Sequence, residues 1–298
     1  MRFLSYELGE KEGYGILNEK NFMVIPMETL LRELNKDVPK NLLDFIRTYS
    51  DSLIGDLKEV LENIKDKGIP LKDVKITAPI KYPRRNVFCL GKNYADHAAE
   101  VKSIPSGDAT IPEHPIYFTK IADPAIGHMD KIIIPKGYTE KIDYEVELAV
   151  IIGKDGKDIA YERAEDYIFG YSIGNDISAR DIQTRHIQWF KGKSLDTTTS
   201  LGPFIVHKSA LPFPVELNIG CRLNGEVRQD SNTRNLIFDI PTIISDLSKG
   251  LTLRAGDIIL TGTPAGVGMG FDPPRFLKSG DIVECYIEKI GTLTNIIE

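Results

Sequence analysis

Residues 144–153, YEVELAVIIG, have the alternation and the branched apolar residues of a β-strand, yet two glutamates lie two positions apart within it. Side chains alternate along a strand, so Glu145 and Glu147 share one face. Ala149 and Ile151 continue that face with apolar groups. A solvent-exposed face more often continues with polar residues, and the pattern therefore favours a buried pair of carboxylates over a solvated pair.

The strand belongs to a chain of 298 residues that is 42% hydrophobic and 27% charged, the composition of an ordinary globular protein. A formal net charge of −6 argues against a nucleic-acid or anionic membrane surface, because phosphate groups are bound by clustered Lys and Arg. Three widely spaced cysteines indicate neither a disulfide framework nor a zinc site. With no signal-peptide pattern and no apolar run of transmembrane length, the sequence predicts a cytoplasmic protein.

The texture of the chain changes near residue 78. Before it, short strand patterns precede helical patterns over residues 27–49 and 52–65, which predict a small α/β N-terminal domain over residues 1–78. Residues 79–298 contain many short apolar strands separated by Gly, Pro and Asp, a hairpin signal at LNGE, and only two helical patterns. The prediction is a mainly β (α+β) fold with a curled sheet or sandwich, not a βαβ nucleotide-binding fold.

A third carboxylate follows the strand pattern FGYSIGND. Two carboxylates at positions i and i+2 can converge on one cation, whereas without a cation their burial would force one to be protonated. Asp176 can complete an all-carboxylate set, which selects Mg²⁺ or Mn²⁺, with Ca²⁺ as a further candidate, over zinc or copper. Arg180 and Gln183, three apart on a predicted helix, can both point toward Asp176. A surface ion pair of Arg180 fits the same spacing.

Another candidate pair lies in GKNYADHAAEV, where His97 and Glu100 are three residues apart. This spacing allows a carboxylate to orient an imidazole that acts as a general base, although such pairs more often lie on a surface. The polar, Pro-containing segment 103–115 that follows is typical of a loop that closes over a site.

Two further motifs carry polar groups. FKGKSLD resembles a phosphate-binding loop but has Ile187 where the required glycine should be, so Lys193 is interpreted as a cation near an anionic substrate or as a plain surface lysine. In GDIILTGTPAGVG a strand runs into a Gly-rich turn that contains Thr263. Such turns bring backbone N–H groups close to a ligand, and a purely structural turn is equally compatible.

Seven motifs occur in this order: GKNYADH, IYFTK, DYEVELAVIIGK, GYSIGNDISARDIQ, FKGKSLD, LNGEVRQ and GDIILTGTPAGVG. Together they resemble the fumarylacetoacetate hydrolase superfamily over nearly all of residues 79–298. The N-terminal region resembles that of the bacterial subgroup with an extra domain. The resemblance implies a mixed β-roll core, a homodimer, and Mg²⁺ or Mn²⁺ bound in the mouth of the roll.

The resemblance also assigns roles to individual positions. By motif, the metal ligands are Glu145, Glu147 and Asp176, the catalytic residues are His97, Glu100 and Lys193, and the substrate-binding residues are Arg180, Gln183, Lys120 and Thr263. One departure from the family pattern is the segment 121–124, IADP, where many members have Pro directly after FTK. This departure leaves the shape of the pocket wall near Lys120 open.

A substrate with a 2-oxo acid end is implied, because its carboxylate and keto oxygens can chelate the metal while an enolate forms. The first hypothesis is cleavage of a C–C bond in a β-diketo or β-oxo acid, with His97 and Glu100 activating water and Lys193 stabilising an oxyanion. Decarboxylation of oxaloacetate, and isomerisation or tautomerisation of the 2-hydroxyhepta-2,4-diene-1,7-dioate type, share the same enolate. A non-catalytic binding protein is a remote alternative.

Overall fold

The computed structural model describes residues 1–64, 67–101 and 111–298, and this part of the chain is predominantly β, as the sequence predicts. The strands are β1 Arg2–Leu8, β2 Lys11–Asn18, β3 Met23–Pro26, β4 Ile69–Pro70, β5 Lys75–Thr77, β6 Val87–Gly91, β7 Ile116–Lys120, β8 Lys131–Ile132, β9 Ile142–Asp143, β10 Val146–Ile152, β11 Ile168–Asp176, β12 Ser178–Ala179, β13 Thr199–His207, β14 Asn218–Leu223, β15 Glu226–Asn232, β16 Ile258–Leu260, β17 Ile282–Ile287 and β18 Gly291–Ile297. The α-helices are α1 Met27–Glu33, α2 Leu42–Thr48, α3 Asp51–Asn63, α4 Ala95–Glu100, α5 Arg180–Arg185, α6 Phe190–Lys193 and α7 Ile240–Ser248.

The strands form one large and one smaller sheet, plus a short ladder of β12 with β9. The large sheet has the order β4-β3-β2-β1-β13-β11-β10-β16-β6-β7, with β5 paired to β1, and the smaller one has the order β15-β14-β17-β18-β8. Strand β1 pairs antiparallel with β13, so that Phe3 lies opposite Ile205. The N-terminal strands therefore continue the sheet that contains β10 and β11, and backbone pairing crosses the domain boundary predicted near residue 78.

Strand β10 lies between two hydrophobic clusters. Val146, Leu148 and Val150 belong to the cluster shared with the smaller sheet, whereas Ala149 and Ile151 belong to the cluster shared with the N-terminal helices. Both faces of the strand are thus buried, because each is covered by a different layer. The glutamates lie on the second face at the start of the strand, where this apolar packing gives way to the polar site.

Local signals explain where the helices and turns occur, and they correct one prediction. The continuous helical stretch predicted over residues 27–49 is wrong: α1 and α2 are separate, and Pro39, which lacks an N–H donor, lies in the segment between them. Asn41 caps α2 by accepting a hydrogen bond from the Asp44 backbone N–H at 2.8 Å. The predicted LNGE hairpin is confirmed, since Asn224 and Gly225, with φ angles of 52° and 81°, connect β14 to β15.

Part of one sequence-based prediction lies outside the described residues. The segment 103–115 is predicted to be a loop that closes over the site, and its residues 103–110 are outside the described part of the chain. Within the described part of the chain, no helix has both the length and the apolar character required to cross a membrane.

A buried histidine makes the fold sensitive to acid. His207 packs against the rings of Phe3, Tyr49 and Phe169, and its Nε2 atom has no hydrogen-bond partner among the described residues. Burial, followed by the positive charge of the N-terminus, lowers the pKa of His207 from about 6.5 to about 4. Between these two pH values the unfolded chain binds a proton at this histidine that the folded chain does not. The free energy of unfolding should therefore fall by up to about 3 kcal/mol as the pH is lowered from about 6.5 to about 4.

Substitution of this histidine should remove that component of the acid sensitivity. Urea unfolding between pH 7 and pH 4 should show a shallower loss of stability for His207→Gln than for the wild type, while substitution of the exposed His186 by Gln should leave the wild-type slope. Equal slopes for wild type and His207→Gln would contradict the prediction.

Candidate metal centre

Three carboxylates meet at the edge of the large sheet, as the sequence predicts. Glu145 directly precedes β10, Glu147 is the second residue of that strand, and Asp176 ends the neighbouring strand β11. The Asp176 backbone N–H donates to the Glu145 carbonyl at 2.9 Å. One carboxylate oxygen from each of the three lies within 4.8 Å of the others. Glu145, Glu147 and Asp176 are only 4%, 1% and 0% exposed, which excludes the alternative of a solvated acidic face.

The donor set fits a divalent metal ion. Two oxygens on opposite sides of Mg²⁺, each about 2.1 Å from it, lie about 4.2 Å apart, so small side-chain movements would suffice to surround one ion. Burial raises the pKa of Glu147 well above its ordinary value, and the Asp176 and Glu145 carboxylates raise it further. A cation between these groups would offset that cost, and ligands that are all carboxylate oxygens suit a hard ion.

Two buried lysines donate to the carboxylates of this cluster, Lys193 to two of them and Lys120 to one. The Lys193 Nζ atom donates to Glu145 Oε2 at 2.6 Å and to Asp176 Oδ2 at 2.7 Å. Burial lowers the pKa of Lys193, but Asp176 and Glu145 outweigh burial and raise it, so Lys193 is a buried cation and not a surface lysine. Lys120 uses its three ammonium donors on Asp176 Oδ1 and on the carbonyls of Ile177 and Thr198, at 2.6, 3.2 and 2.5 Å.

Arg180, at the start of α5, lies inside the site and is only 2% exposed, which excludes a surface ion pair. Its Nε atom donates to Asp143 Oδ2 at 2.9 Å, and its Nη1 atom lies 2.7 Å from Glu145 Oε1 and 3.2 Å from Gln183 Oε1. Burial lowers the pKa of Arg180, but the carboxylates of Glu145 and Asp143 raise it by more, so that the net shift is upward.

His97 and Glu100, both on α4, face the same site. The His97 Nδ1 atom lies 3.4 Å from Glu100 Oε2, and His97 is 5% exposed. The Gly266 backbone N–H donates to both Glu100 oxygens, at 3.0 and 3.1 Å. Gly270 has no side chain, and a Cβ atom there would collide with the Glu100 carboxylate. The pair is therefore held by the Gly-rich turn and does not lie on the surface.

These groups line a small cavity of about 20 Å³. Glu145, Glu147, His97, Gln183, Lys193 and Thr263 supply its polar wall, and Phe118 and Trp189 lie on its apolar side. Its volume admits about one water molecule. Of the ten positions predicted from the sequence, six line this cavity, while Asp176, Arg180 and Glu100 contact lining residues and Lys120 contacts Asp176.

Sequence reasoning missed two buried residues of this site. Asp143 pairs with Arg180, and Gln229 donates to the Thr263 hydroxyl at 2.8 Å and accepts from the Val146 backbone N–H at 3.0 Å. Both lie inside two of the seven ordered motifs, DYEVELAVIIGK and LNGEVRQ. A buried polar residue in a strand pattern is the only signal either one gives in the sequence.

Comparison with known proteins identifies the family. Residues 86–298 match the family model described as fumarylacetoacetate (FAA) hydrolase C-terminal. A Bacillus subtilis (strain 168) relative named oxaloacetate tautomerase YisK is 45% identical over 306 residues, which cover all of both chains. The rat (Rattus norvegicus) mitochondrial oxaloacetate tautomerase Fahd2a is 43% identical over 266 residues, which cover 89% of this chain and 82% of the relative.

A solved structure has the same fold. The maleylpyruvate hydrolase from Sphingobium sp. SYK-6, in complex with manganese(II) and pyruvate, is 26% identical and has a TM-score of 0.79, with 100% of this chain and 98% of that chain covered. The family model spans most of this chain, and the two tautomerases are similar to it over nearly its whole length. The chain therefore belongs to the fumarylacetoacetate hydrolase family, as its ordered motifs predict.

Proposed function

We propose that this protein is a keto–enol tautomerase of oxaloacetate or a closely similar 2-oxo acid, and that Glu145, Glu147 and Asp176 hold Mg²⁺ or Mn²⁺. The observation that carries the proposal is the placement of two proton-bearing groups, His97 and Lys193, on the cavity that the two glutamates line. Similarity over the full length of a bacterial oxaloacetate tautomerase supports this choice of reaction.

The chemistry required is the movement of one proton between C3 and the 2-oxygen of the substrate, with no C–C bond broken and no water consumed. A bound divalent cation would supply an electrophile that stabilises negative charge on the 2-oxygen. Arg180 and Gln183 would hold the substrate carboxylate through hydrogen bonds. His97, oriented by Glu100, would exchange the proton at C3, and Lys193 would hold a positive charge beside the oxygen that gains electron density.

Cleavage of a C–C bond, the first hypothesis from the sequence, is a second candidate. The contact of His97 with Glu100 would let the imidazole activate a water molecule, as hydrolysis of a β-diketo acid requires. The similarity to a maleylpyruvate hydrolase supports this reading. Decarboxylation of oxaloacetate would use the same groups without the water.

One assay separates these reactions. Enol-oxaloacetate, followed by its ultraviolet absorbance, should convert to the keto form faster than pyruvate is released from oxaloacetate or acetylpyruvate, and EDTA should return the conversion to the uncatalysed rate. Added Mg²⁺ or Mn²⁺ should restore it, which also ranks the two metals. Faster pyruvate release would favour cleavage, and full activity in EDTA would contradict a metal-dependent mechanism.

The organisation of the chain carries further proposals. We propose a boundary near residue 78 between the N-terminal domain and the catalytic domain, which the start of the family match at residue 86 supports. We also propose that the protein is a homodimer that binds a small 2-oxo acid, which family membership supports. A cytoplasmic location is proposed from the similarity to the Bacillus subtilis relative. Light scattering coupled to size-exclusion chromatography tests the dimer.

A further inference from the structure

Asp143 is a fully buried carboxylate whose hydrogen bonds are all made within the protein. Its Oδ1 atom accepts from the backbone N–H groups of Tyr144 and Gly268, at 2.9 and 2.7 Å. Its Oδ2 atom accepts from Arg180 Nε and from the Met269 N–H, both at 2.9 Å. A carboxylate has about four lone-pair positions, so Asp143 has no capacity left for a metal ion or a substrate.

One side of Asp143 fixes the guanidinium of Arg180. The bond to Nε and the contact of Nη1 with Glu145 hold the plane of the group from two directions. The remaining nitrogen, Nη2, is buried and has no hydrogen-bond partner among the described residues. An unpaired buried N–H of a charged group is costly, and an anionic oxygen from a ligand would satisfy it.

The other side of Asp143 fixes the turn behind Glu100. Asp143 accepts hydrogen bonds from the backbone N–H groups of Gly268 and Met269. These residues follow Gly266 in the same turn, and the Gly266 N–H donates to the Glu100 carboxylate. A Cβ atom at Gly268 would press on Asp143 Oδ1 and on a backbone carbonyl, so only glycine lets the turn approach this closely. The carboxylate that orients Arg180 therefore also holds the turn that orients Glu100.

We infer that Asp143 is a positioning residue that keeps the substrate-binding guanidinium of Arg180 and the His97–Glu100 pair in one geometry. The inference rests on the proposed function, which assigns Arg180 to the substrate carboxylate and His97 to proton transfer. Asp143 touches neither the substrate nor the metal, and it acts through Arg180 and through the turn that contains Gly266.

Asp143→Asn tests the inference at nearly constant volume. An amide has one acceptor oxygen and one donor nitrogen, so two of the four N–H groups that Asp143 accepts would lose their acceptor. We expect the KM for oxaloacetate to rise about 10- to 100-fold through Arg180, with a smaller fall in kcat through Glu100. Mn²⁺ affinity should match the wild type, and loss of Mn²⁺ binding would assign Asp143 to the metal site and overturn the inference.

A double-mutant cycle separates positioning from general destabilisation. If Asp143 acts on KM through Arg180, Asp143→Asn should raise KM little further in an Arg180→Gln background, whereas fully additive effects would overturn the inference. Asp257→Asn is the matched control, since Asp257 is also a buried carboxylate paired with an arginine, Arg85, outside the site. It should lower Tm and leave KM unchanged.

Two additional measurements keep the outcome clear. Asp143→Glu retains the charge and all acceptor positions but displaces them by one methylene, so it should raise KM in the same direction if the amide variant does not fold. Calorimetric binding of oxalate to the Mn²⁺-loaded protein reports on Arg180 without turnover. Weaker oxalate binding in Asp143→Asn, with no tautomerase activity in the wild type, would uphold the positioning role and reject the proposed function. Tautomerase activity in the wild type that is unchanged in Asp143→Asn would uphold the proposed function and reject the positioning role.

Discussion

Glu147→Gln is expected to weaken metal binding severely and to slow turnover, while it raises the stability of the metal-free protein. Glu147 is 1% exposed and its Oε2 atom accepts from the Gly262 N–H at 2.7 Å. Burial and the nearby carboxylates of Asp176 and Glu145 raise its pKa well above the ordinary value, so its ionised form is costly without a cation. Loss of one of the three proposed metal ligands should reduce kcat/KM by about a thousandfold, equivalent to about 4 kcal/mol.

In the metal-free protein, Glu147→Gln should increase stability, because it removes a carboxylate that is buried without a cation. A carboxyl group whose pKa is raised on folding makes the folded state less favourable as the pH rises above its ordinary value near 4.5. In EDTA, the Tm of Glu147→Gln should therefore exceed that of the wild type, and the gap should widen between pH 4.5 and pH 7. Mn²⁺ should raise the Tm of the wild type but not that of Glu147→Gln. A control variant, Glu162→Gln on the surface, should follow the wild type in every respect.

A lower Tm for Glu147→Gln in EDTA would show that the carboxylate is stabilised by contacts other than a cation. Retained Mn²⁺ affinity in calorimetry would remove Glu147 from the ligand set. The two readouts are independent, because one concerns the metal-free protein and the other the loaded protein.

The carboxylate cluster could be predicted from the sequence because it depends on short-range rules. The period of two places Glu145 and Glu147 on one face, and the apolar Ala149 and Ile151 indicate that this face is buried. Asp176 ends the next strand pattern, and antiparallel neighbours bring the start of one strand close to the end of the other. The mainly β character likewise follows from many short strand patterns with turn residues between them.

The supporting residues could not be predicted because their roles depend on contacts far apart in the sequence. Gln229 accepts from the Val146 N–H across 83 positions, and Lys120 donates to Asp176 across 56. Spacing alone left Arg180 undecided between the site and the surface, and its contact with Asp143, 37 positions away, resolves this. The interruption of the first predicted helix is a local effect, because Pro39 indicates a break at this point. The apolar periodicity on both sides of Pro39 nevertheless favours one continuous helix.

Lys193→Met is expected to destabilise the metal-free protein strongly and to leave it inactive even when metal is restored. The ammonium group is the shared donor to Glu145 and Asp176, at 2.6 and 2.7 Å, and Met fills a similar volume without the charge. Removal of one partner from a buried ionic network costs about 3–5 kcal/mol, so unfolding in EDTA should occur at a much lower urea concentration. Lys191→Met, two residues away at an exposed position, should match the wild type.

Metal titration then separates the two roles of Lys193. Without the ammonium group the carboxylates carry more uncompensated negative charge, so Mn²⁺ should bind Lys193→Met more tightly than wild type and should recover much of the lost stability. If Lys193 served only to neutralise Glu145 and Asp176, this recovery would restore turnover as well. Because the proposed function also places its charge beside the substrate oxygen that gains electron density, kcat at saturating Mn²⁺ should remain about 100- to 1,000-fold below the wild type. A metal-saturated variant with wild-type kcat would limit Lys193 to a structural role.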